Sequence, residues 1–429
     1  MKIVIFWFRR DLRLEDNSAL LAALKSGHQV LPIFIFDQNI LSDLPRQDAR
    51  LGFIHDLLAD INTSLHKFES GVKCLHGSPL DVWKSLIMTF DISSVFINKD
   101  YEPYARKRDQ EITKLLSENG IALFSFKDQV IFEQDEILKA DGNPYTIFTP
   151  YKNKWLSLFK GKILNTETPN FKALYKQPQT LPSLSSMNFK VATIKVKPYN
   201  LSSLNEYTKS RDFPSTDNTS YLSPHLRFGS VSVRKIISTL KKSDNIFLSE
   251  LIWREFFMQI IYHFPKVVTE NFKIKYDGIS WRNNQEEFEK WCVGKTGYPM
   301  VDAGMRQLNA TGYMHNRVRM VTASFLCKHL LIDWRWGEAY FGEKLLDYEL
   351  SSNNGNWQWS AGTGCDATPY FRVFNPTSQQ QKFDKKGIYI KKWIPELNSF
   401  DYVSPIVDHN VARDRALNTY KIGLKAHQV

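Results

Sequence analysis

Short apolar runs separated by charged turns and helical patterns dominate the first part of the chain. Residues 2–8 and 30–36 are strand-length apolar runs, and residues 18–24 between them have helical spacing. Continuous rather than alternating apolar runs are typical of strands buried on both faces of a parallel sheet. The same order continues in the strand-like runs 95–98 and 122–126 and in the helical pattern 106–116. We therefore predict a doubly wound, Rossmann-like parallel sheet over residues 1–130.

The sequence changes character after residue 130. Residues 131–200 are polar and punctuated by proline, which predicts a long surface connector. Beyond that point apolar positions recur with a helical period, most clearly in residues 245–263, 301–308 and 316–331. We predict an all-α second domain over residues 201–429.

Two phosphate-binding patterns are missing from the places where they would be expected. The first strand runs into Arg9 and Arg10 rather than GxGxxG, so a dinucleotide pyrophosphate is not expected on the first helix. The GKTG at residues 294–297 is preceded at the required position by Glu289 instead of glycine, so it is no Walker motif. Any ligand of the sheet should still bind at the carboxyl ends of its strands.

Charge and aromatic content favour a nucleic-acid partner. The 56 Lys and Arg exceed the 45 Asp and Glu, which gives a net charge of +11, and aromatic residues make up 14% of the chain. Basic and aromatic side chains together hold phosphates and stack on bases. Excess charge also serves solubility, so this observation alone leaves both interpretations open.

The cysteines and the amino terminus indicate the compartment. The four cysteines are far apart and include no CxxC pair, so neither a disulfide framework nor a metal site is expected. The first apolar run is too short for a signal peptide, and no run has membrane-spanning length. We expect a soluble, cytoplasmic protein without a bound metal.

The segment from 351 to 376 concentrates amides, indoles and glycines in a way that core helices do not. If residues 351–360 are helical, Asn353 and Trp357 share a face and Trp359 points the opposite way. The segment also contains poor helix formers such as Asn354 and Gly355. A binding site explains this composition better than a plain core does.

A second cluster lies in SELIWREFF, where Glu250, Trp253 and Arg254 stand at helical spacing on one face. The face is either a binding surface or an intrahelical salt bridge around a packed indole. Arg319 and Asp347 each lie in a largely apolar helical pattern, where a charge without a partner is costly, so we expect them to pair.

Seven motifs follow one another along the chain: WFRRDLRLEDNSAL, TSYLSPHLRFGSVS, ELIWREFF, KTGYPMVDAGMRQLNATGYMHNRVRM, DWRWGEAYF, NNGNWQWSAGTGCDATPYFRVFNPTSQQQKFD and GIYIKKWIPEL. In this order they resemble the photolyase/cryptochrome family, most closely the class I cyclobutane pyrimidine dimer photolyases. The resemblance implies an α/β antenna domain, a linker and a helical domain that holds FAD. It also implies light-driven repair, in which reduced FAD gives an electron to a flipped-out pyrimidine dimer in DNA.

The resemblance assigns roles to individual residues of this sequence. FAD is implied to be bound by Tyr207, Thr219, Ser220, Leu222, Ser223, Arg254, Arg319, Asp347, Glu349 and Asn353. Catalytic roles fall to Glu250, which contacts the carbonyls of the dimer, to Asn353 at the flavin N5, and to Trp357, Trp334 and Trp281 as an electron-transfer chain. Glu349 replaces a more usual Asp and Phe247 replaces a Trp found in several relatives, so details of flavin and lesion contacts are expected to differ.

The resemblance likewise implies how DNA is bound. The lesion pocket is implied to contain Glu250, Trp253, Asn316, Met320 and Trp359, with Trp253 stacking on the dimer. Phosphates are implied to contact Arg211, Arg317, Arg372 and Lys382. The lysines 385, 386, 391 and 392 either extend this surface or form a solvated helix face.

Several alternatives stay open. Asp100 and Glu102 mark either an antenna pocket for a deazaflavin or a folate, or only an acidic helix start. Two other functions compete with dimer repair: a flavin photoreceptor without repair, and repair of the (6-4) photoproduct. The lesion-pocket residues favour dimer repair over the first, and the single His315 favours it over the second. A nonenzymatic single-strand binder fits the charge but not Asn353 with Asp347. We expect a monomer.

Overall fold

In a computed structural model, residues 2–161 and 167–426 are described, and the chain divides into two compact units. The first unit contains Met1–Ile137, Trp155–Tyr199 and Tyr221–Lys242, and the second contains Leu138–Lys154, Asn200–Ser220 and Ser243–Val429. The chain therefore passes between the units more than once. The domains expected from the sequence, by contrast, follow one another along the chain, with boundaries after residues 130 and 200. These two boundaries stay predictions.

The first unit is built on a five-stranded parallel sheet, as predicted. Its strands are β1 (Ile3–Phe8), β2 (Gln29–Asp37), β3 (Lys73–Gly77), β4 (Ile92–Asn98) and β5 (Ala122–Phe126). Their order in the sheet is β3-β2-β1-β4-β5, and each neighbouring pair is parallel. The chain thus winds out from β1 in both directions, which is the doubly wound topology.

Alternation along β1 shows why its apolar run is continuous. Val4 and Phe6 pack into the core on one face of the sheet, and Ile5 and Trp7 pack into the core on the other. Because successive side chains of a strand point to opposite faces, a strand covered on both sides needs apolar residues throughout.

Helices follow the strands of the first unit and form most of the second. Up to residue 158 they are α1 (Ser18–Leu24), α2 (Gln38–Leu41), α3 (Ala49–His66), α4 (Pro79–Thr89), α5 (Pro103–Glu118) and α6 (Phe148–Leu158). From there to residue 311 they are α7 (Tyr207–Ser210), α8 (Ser223–Phe228), α9 (Val233–Thr239), α10 (Asn245–His263), α11 (Gln285–Cys292) and α12 (Pro299–Thr311). The last are α13 (Asn316–Ser324), α14 (Trp334–Lys344), α15 (Leu350–Ala361), α16 (Pro376–Phe383), α17 (Ile388–Trp393) and α18 (His409–Ala426).

Two elements were not expected from the sequence. Strand β3 is an edge strand with the sequence KCLHG, mostly half-buried, so it lacks the apolar run that marks the central strands. Helix α6 lies in the predicted connector, where Phe148, Tyr151 and Trp155 are buried at helical spacing between lysines. Part of that connector, residues 162–166, lies outside the described residues.

The second unit has an aromatic core. Trp291, Phe325, Trp334 and Trp357 are buried in one cluster, each at most 2% exposed. The long helical pattern predicted at 316–331 is interrupted after α13 by a π-helical turn, Phe325–His329. Within the described parts of the chain, no helix combines the length and the apolar character needed to cross a bilayer.

Candidate active site

Helix α10 directs its three predicted functional side chains to three different partners. Glu250 accepts from Arg211 Nη1 at 2.6 Å, and Arg254 donates to Glu349 at 3.1 Å. Trp253 is half-buried and lies flat against Phe148. Glu250 therefore pairs with an arginine from outside its own helix.

The Glu250 carboxyl is electrostatically unusual. Burial raises its pKa, and the nearby Arg211 guanidinium offsets part of that effect. Both side chains keep some contact with solvent, 35% for Glu250 and 27% for Arg211. Tyr207 lies beside the pair, with Arg211 5.5 Å from its ring centre, and burial raises the pKa of its phenol. The ring of Phe247 packs edge-on against Tyr207.

The predicted pairing of Arg319 with Asp347 is confirmed. Arg319 Nη2 donates to both carboxylate oxygens of Asp347, at 2.9 and 3.2 Å, and its Nε donates to the Met314 carbonyl. The Asp347 side chain is 7% exposed and that of Glu349 is 5% exposed. The carboxylates of both guanidinium–carboxylate pairs thus come from the residues just before α15.

In helix α15, Asn353 and Trp357 are buried and Trp359 is half-buried. The Asn353 side-chain Nδ2 donates to Glu338 twice, to the side-chain Oε1 at 2.8 Å and to the main-chain carbonyl at 3.0 Å. With its amino group used in this way, the Asn353 Oδ1 remains as an acceptor. Burial raises the pKa of the Glu338 carboxyl, against the effect of the hydrogen bond from Asn353.

The three tryptophans of the predicted electron-transfer chain belong to, or pack against, the same aromatic core. Trp357 and Trp334 are buried in it, and the half-buried Trp281 packs on it. Trp334 is fixed by a hydrogen bond from Nε1 to Asn271. The Trp357 ring lies over Gly337, where a Cβ atom would come within 2.1 Å of it, so only glycine fits there.

The residues predicted to contact DNA include a small group around Phe383. The guanidinium of Arg317 lies 4.2 Å from that ring centre and the ammonium of Lys382 5.2 Å from it. Arg317 also pairs with Asp212 at 2.7 Å. The side chain of Arg372 is exposed, and so are the lysines at positions 385, 386, 391 and 392.

Asn316 and Met320 lie one helical turn apart on α13, with the amide nitrogen 3.9 Å from the sulfur. Asn316 is exposed and Met320 half-buried, so this face of the helix is accessible to a ligand. His315 caps the same helix by accepting from the Arg317 main chain, and burial lowers the pKa of its imidazole to about 4.

The segment predicted to contact the FAD phosphates is divided between the units. Thr219 and Ser220 belong to the second unit, where the Ser220 carbonyl accepts from the Asn200 main chain at 2.8 Å. Leu222 and Ser223 belong to the first, at the start of α8, and Leu222 is buried.

Asp100 and Glu102 both form ion pairs with arginines of the first unit. Arg10 Nη1 lies 3.2 Å from a carboxylate oxygen of each, and Arg227 lies 3.8 Å from Glu102. Burial alone would raise the pKa of Asp100, but Arg10 and neighbouring arginines outweigh it and lower that pKa to about 2. Glu102 is also the N-cap residue that directly precedes α5, so both interpretations of these acids stay open.

The donors and acceptors near α15 suit a flavin. An isoalloxazine ring carries carbonyl oxygens, ring nitrogens and an N–H, and it needs both kinds of partner in a small space. The guanidiniums of Arg254 and Arg319 donate, the carboxylates paired with them accept, and Asn353 offers an oriented carbonyl oxygen. In addition, the Ser351 hydroxyl is buried without a hydrogen-bond partner among the described residues, as expected of a group that awaits a ligand.

Two residues in this site were missed by sequence reasoning. Glu338 lies within DWRWGEAYF, and an acid among aromatic residues in a helix was the available signal. Phe148 lies in the predicted connector, and nothing in its local sequence connects it with Trp253.

Comparison with known proteins agrees with this picture. A family profile described as DNA photolyase matches residues 4–172, and one described as the FAD binding domain of DNA photolyase matches residues 247–401. A curated relative from Vibrio cholerae named deoxyribodipyrimidine photo-lyase is 37% identical, covering 97% of this chain and 99% of its own length.

Solved structures show the same fold over nearly the whole chain. A class III photolyase from Agrobacterium tumefaciens has a TM-score of 0.88 at 34% identity, covering 99% of this chain and 98% of that one. An archaeal photolyase from Sulfolobus tokodaii with two FAD molecules has a TM-score of 0.86 at 34% identity, covering 98% and 99%. The assignment to class I stays a prediction. Motifs, fold and near-complete similarity agree, and the chain belongs to the photolyase/cryptochrome family.

Proposed function

We propose that this protein repairs cyclobutane pyrimidine dimers in DNA by light-driven electron transfer, as a deoxyribodipyrimidine photo-lyase. The observation that carries the proposal is the double use of α10. Arg254 reaches Glu349 in the segment that precedes Asn353, while Glu250 and Trp253 of the same helix keep partial contact with solvent. One rigid helix thus joins the flavin-binding residues to the residues that meet the lesion.

FAD bound in its reduced form supplies the light-driven electron, and the chain supplies binding and orientation. Arg254 and Arg319 with their carboxylate partners would hold the ring, together with Tyr207, Thr219, Ser220, Leu222 and Ser223 for the remainder of the cofactor. Asn353, oriented by Glu338, would keep its Oδ1 at the N5 edge. Since an amide oxygen only accepts, that position favours a ring nitrogen that carries a proton.

Glu250 and Arg211 are proposed to change partners when DNA binds. A phosphate competes for the Arg211 guanidinium because bidentate contacts of arginine with phosphate are strong. When Arg211 leaves, burial acts on Glu250 without the offsetting charge, so the carboxyl takes up a proton more readily. A protonated Glu250 can donate to a carbonyl oxygen of the dimer and stabilise negative charge there.

The exposed cations are proposed to hold the flipped strand. Arg317 and Lys382 beside Phe383, together with Arg372, would contact phosphates around the lesion, with Asn316, Met320 and Trp359 in the pocket. Flipping a nucleotide out of the duplex costs a few kcal/mol, and less for a damaged pair, which contributes to selectivity.

Trp357, Trp334 and Trp281 are proposed to carry electrons from the surface to the flavin site. Their shared aromatic core, tightly packed over Gly337, limits movement of the rings. A second, antenna chromophore near Asp100 and Glu102 is also proposed. A photolyase of similar structure holds two FAD molecules, so a second FAD joins deazaflavin and folate as a candidate.

The test is light-dependent repair of irradiated oligo(dT) by purified, reduced, FAD-loaded protein, followed by recovery of the thymine absorption. A dark sample and Glu250→Gln are the controls. Repair in the light alone, reduced in Glu250→Gln, supports the proposal. Absence of repair by flavin-loaded wild type would leave the photoreceptor alternative, and repair of only (6-4) photoproducts would change the substrate. The monomeric state and the cytoplasmic location stay predictions.

A further inference from the structure

Trp253 makes stacked ring contacts with two phenylalanines. The Phe148 ring stacks on one side, with centroids 3.6 Å apart and planes 9° from parallel. Phe257 stacks on the indole at 5.4 Å and 29°. Trp253 and Phe256 also form a T-shaped pair with their centroids 5.6 Å apart. Trp253 is nevertheless half-buried rather than fully buried, so part of the side chain is still accessible.

Both flanking rings are themselves held in place. The Phe148 main-chain N–H, at the start of α6, donates to the Asp366 carboxylate at 3.0 Å, and the Phe148 side chain is 6% exposed. A carboxylate at a helix start satisfies a free N–H and complements the helix dipole. Phe257 lies against Gly355 of α15, where a Cβ atom would come within 2.1 Å of the ring. The indole therefore has little freedom to rotate.

We propose that Phe148, anchored by Asp366, is a positioning residue for lesion recognition, which fixes the plane of the Trp253 indole before the flipped dimer arrives. The inference rests on the proposed repair function. The flat contact of the Phe148 ring holds the indole plane, and an aliphatic side chain at that position would not do so. Fixing the indole before DNA arrives removes a loss of freedom that binding would otherwise require.

Phe148→Leu tests this because leucine fills much of the same space but offers no flat ring. We expect the Kd for an oligonucleotide with one dimer to rise roughly 3- to 10-fold, from the loss of one immobilised aromatic contact. The Kd for the same oligonucleotide without the dimer and the bound flavin per chain should not change. A general loss of structure would alter all three quantities.

The matched control is Phe264→Leu. Phe264 is half-buried in the same unit and pairs with Phe272 at 5.1 Å, so the control makes the same exchange in another aromatic pair. Its Kd for the dimer should equal that of wild type. Equal effects of Phe148→Leu and Phe264→Leu on dimer binding would overturn the inference.

If Phe148→Leu loses flavin or binding of undamaged DNA, Asp366→Asn decides. It keeps the shape of the side chain and weakens only the charge-assisted hydrogen bond to Phe148. Weaker dimer binding with normal flavin content supports the inference, and wild-type dimer binding contradicts it. Wild type that fails to repair at all would instead refute the proposed function, so the two failures are distinguishable.

Discussion

Removal of Arg319 tests whether its ion pair with Asp347 supports the flavin site. In Arg319→Met, the methionine keeps much of the length of the side chain but removes the charge and the donors that contact Asp347 at 2.9 and 3.2 Å. The Asp347 carboxylate, 7% exposed, would stay buried without that guanidinium. We expect loss of both stability and bound FAD.

The magnitude follows from the burial of the two partners. Breaking a fully buried ion pair by removing one partner costs about 3–5 kcal/mol. The Arg319 side chain is 27% exposed, so solvent screens part of the interaction and we expect about 2–3 kcal/mol. For a domain of about 150–250 residues this corresponds to a fall in melting temperature of roughly 4–12 °C.

A double-mutant cycle measures the pair itself. In Arg319→Met with Asp347→Asn no charge is left, so the double variant should be more stable than the sum of the single effects predicts, by about 1–2 kcal/mol. Urea unfolding gives the free energies and flavin absorbance gives the bound FAD. Arg413→Met is the control, because its pair with Asp414 is exposed at 47% and 74% and should contribute less than about 1 kcal/mol. If Arg319→Met resembled Arg413→Met and retained FAD, the pair would have no role in the site.

Three further predictions concern electron transfer, DNA binding and acid stability. Trp357→Phe should reduce photoreduction of oxidised FAD, measured by flavin absorbance, to a small fraction of wild type, while already reduced enzyme still repairs. Undiminished photoreduction would exclude Trp357 from the electron-transfer chain. Arg372→Glu should lower the slope of log affinity against log salt by about 1–2, in binding titrations with irradiated DNA; an unchanged slope would place the docking surface elsewhere. Burial, with smaller effects of His409 and Arg415, lowers the pKa of His329 to about 3. His329 therefore becomes protonated near pH 6.5 in the unfolded chain but stays neutral there in the folded chain. Stability should therefore fall as pH falls below about 6.5, by about 1 kcal/mol per unit for this residue, and His329→Asn should reduce that loss in urea unfolding; an identical pH dependence would contradict it.

The fold could be predicted where burial dictates composition. Strands β1 and β2 match the predicted ranges to within one residue at each end, and helix α10 matches its range at both ends, because a continuous apolar run or a helical period extends over the element. Strand β3 could not be predicted, since at the sheet edge it needs no apolar residues on both faces. Helix α6 was missed because its buried side chains are separated by lysines and by Pro150, which together suggested a connector.

The site could be predicted only as far as residues share an element. Spacing alone placed Glu250, Trp253 and Arg254 on one face of α10. Their partners come from distant segments: Arg211 lies 39 positions before Glu250, and Glu349 lies 95 positions after Arg254. Such contacts depend on the tertiary fold, and the local spacing of residues gives no information about which distant segments meet. The pairing of Arg319 with Asp347 could be predicted because the cost of burying one charge requires the other nearby.

Glu338 shows why an amide could be located by resemblance while its orientation could not. Asn and Gln side chains present an acceptor and a donor at nearly the same place, so only their partners decide which one faces a ligand. At Asn353 the side-chain and main-chain oxygens of Glu338 both take the amino group, and a carboxyl with a raised pKa serves as one of these acceptors. Because a carboxyl can also donate when protonated, gain of a proton by Glu338 would weaken this preference. The orientation of Asn353, and with it the polarity offered to the flavin, is therefore set by a neighbour on α14.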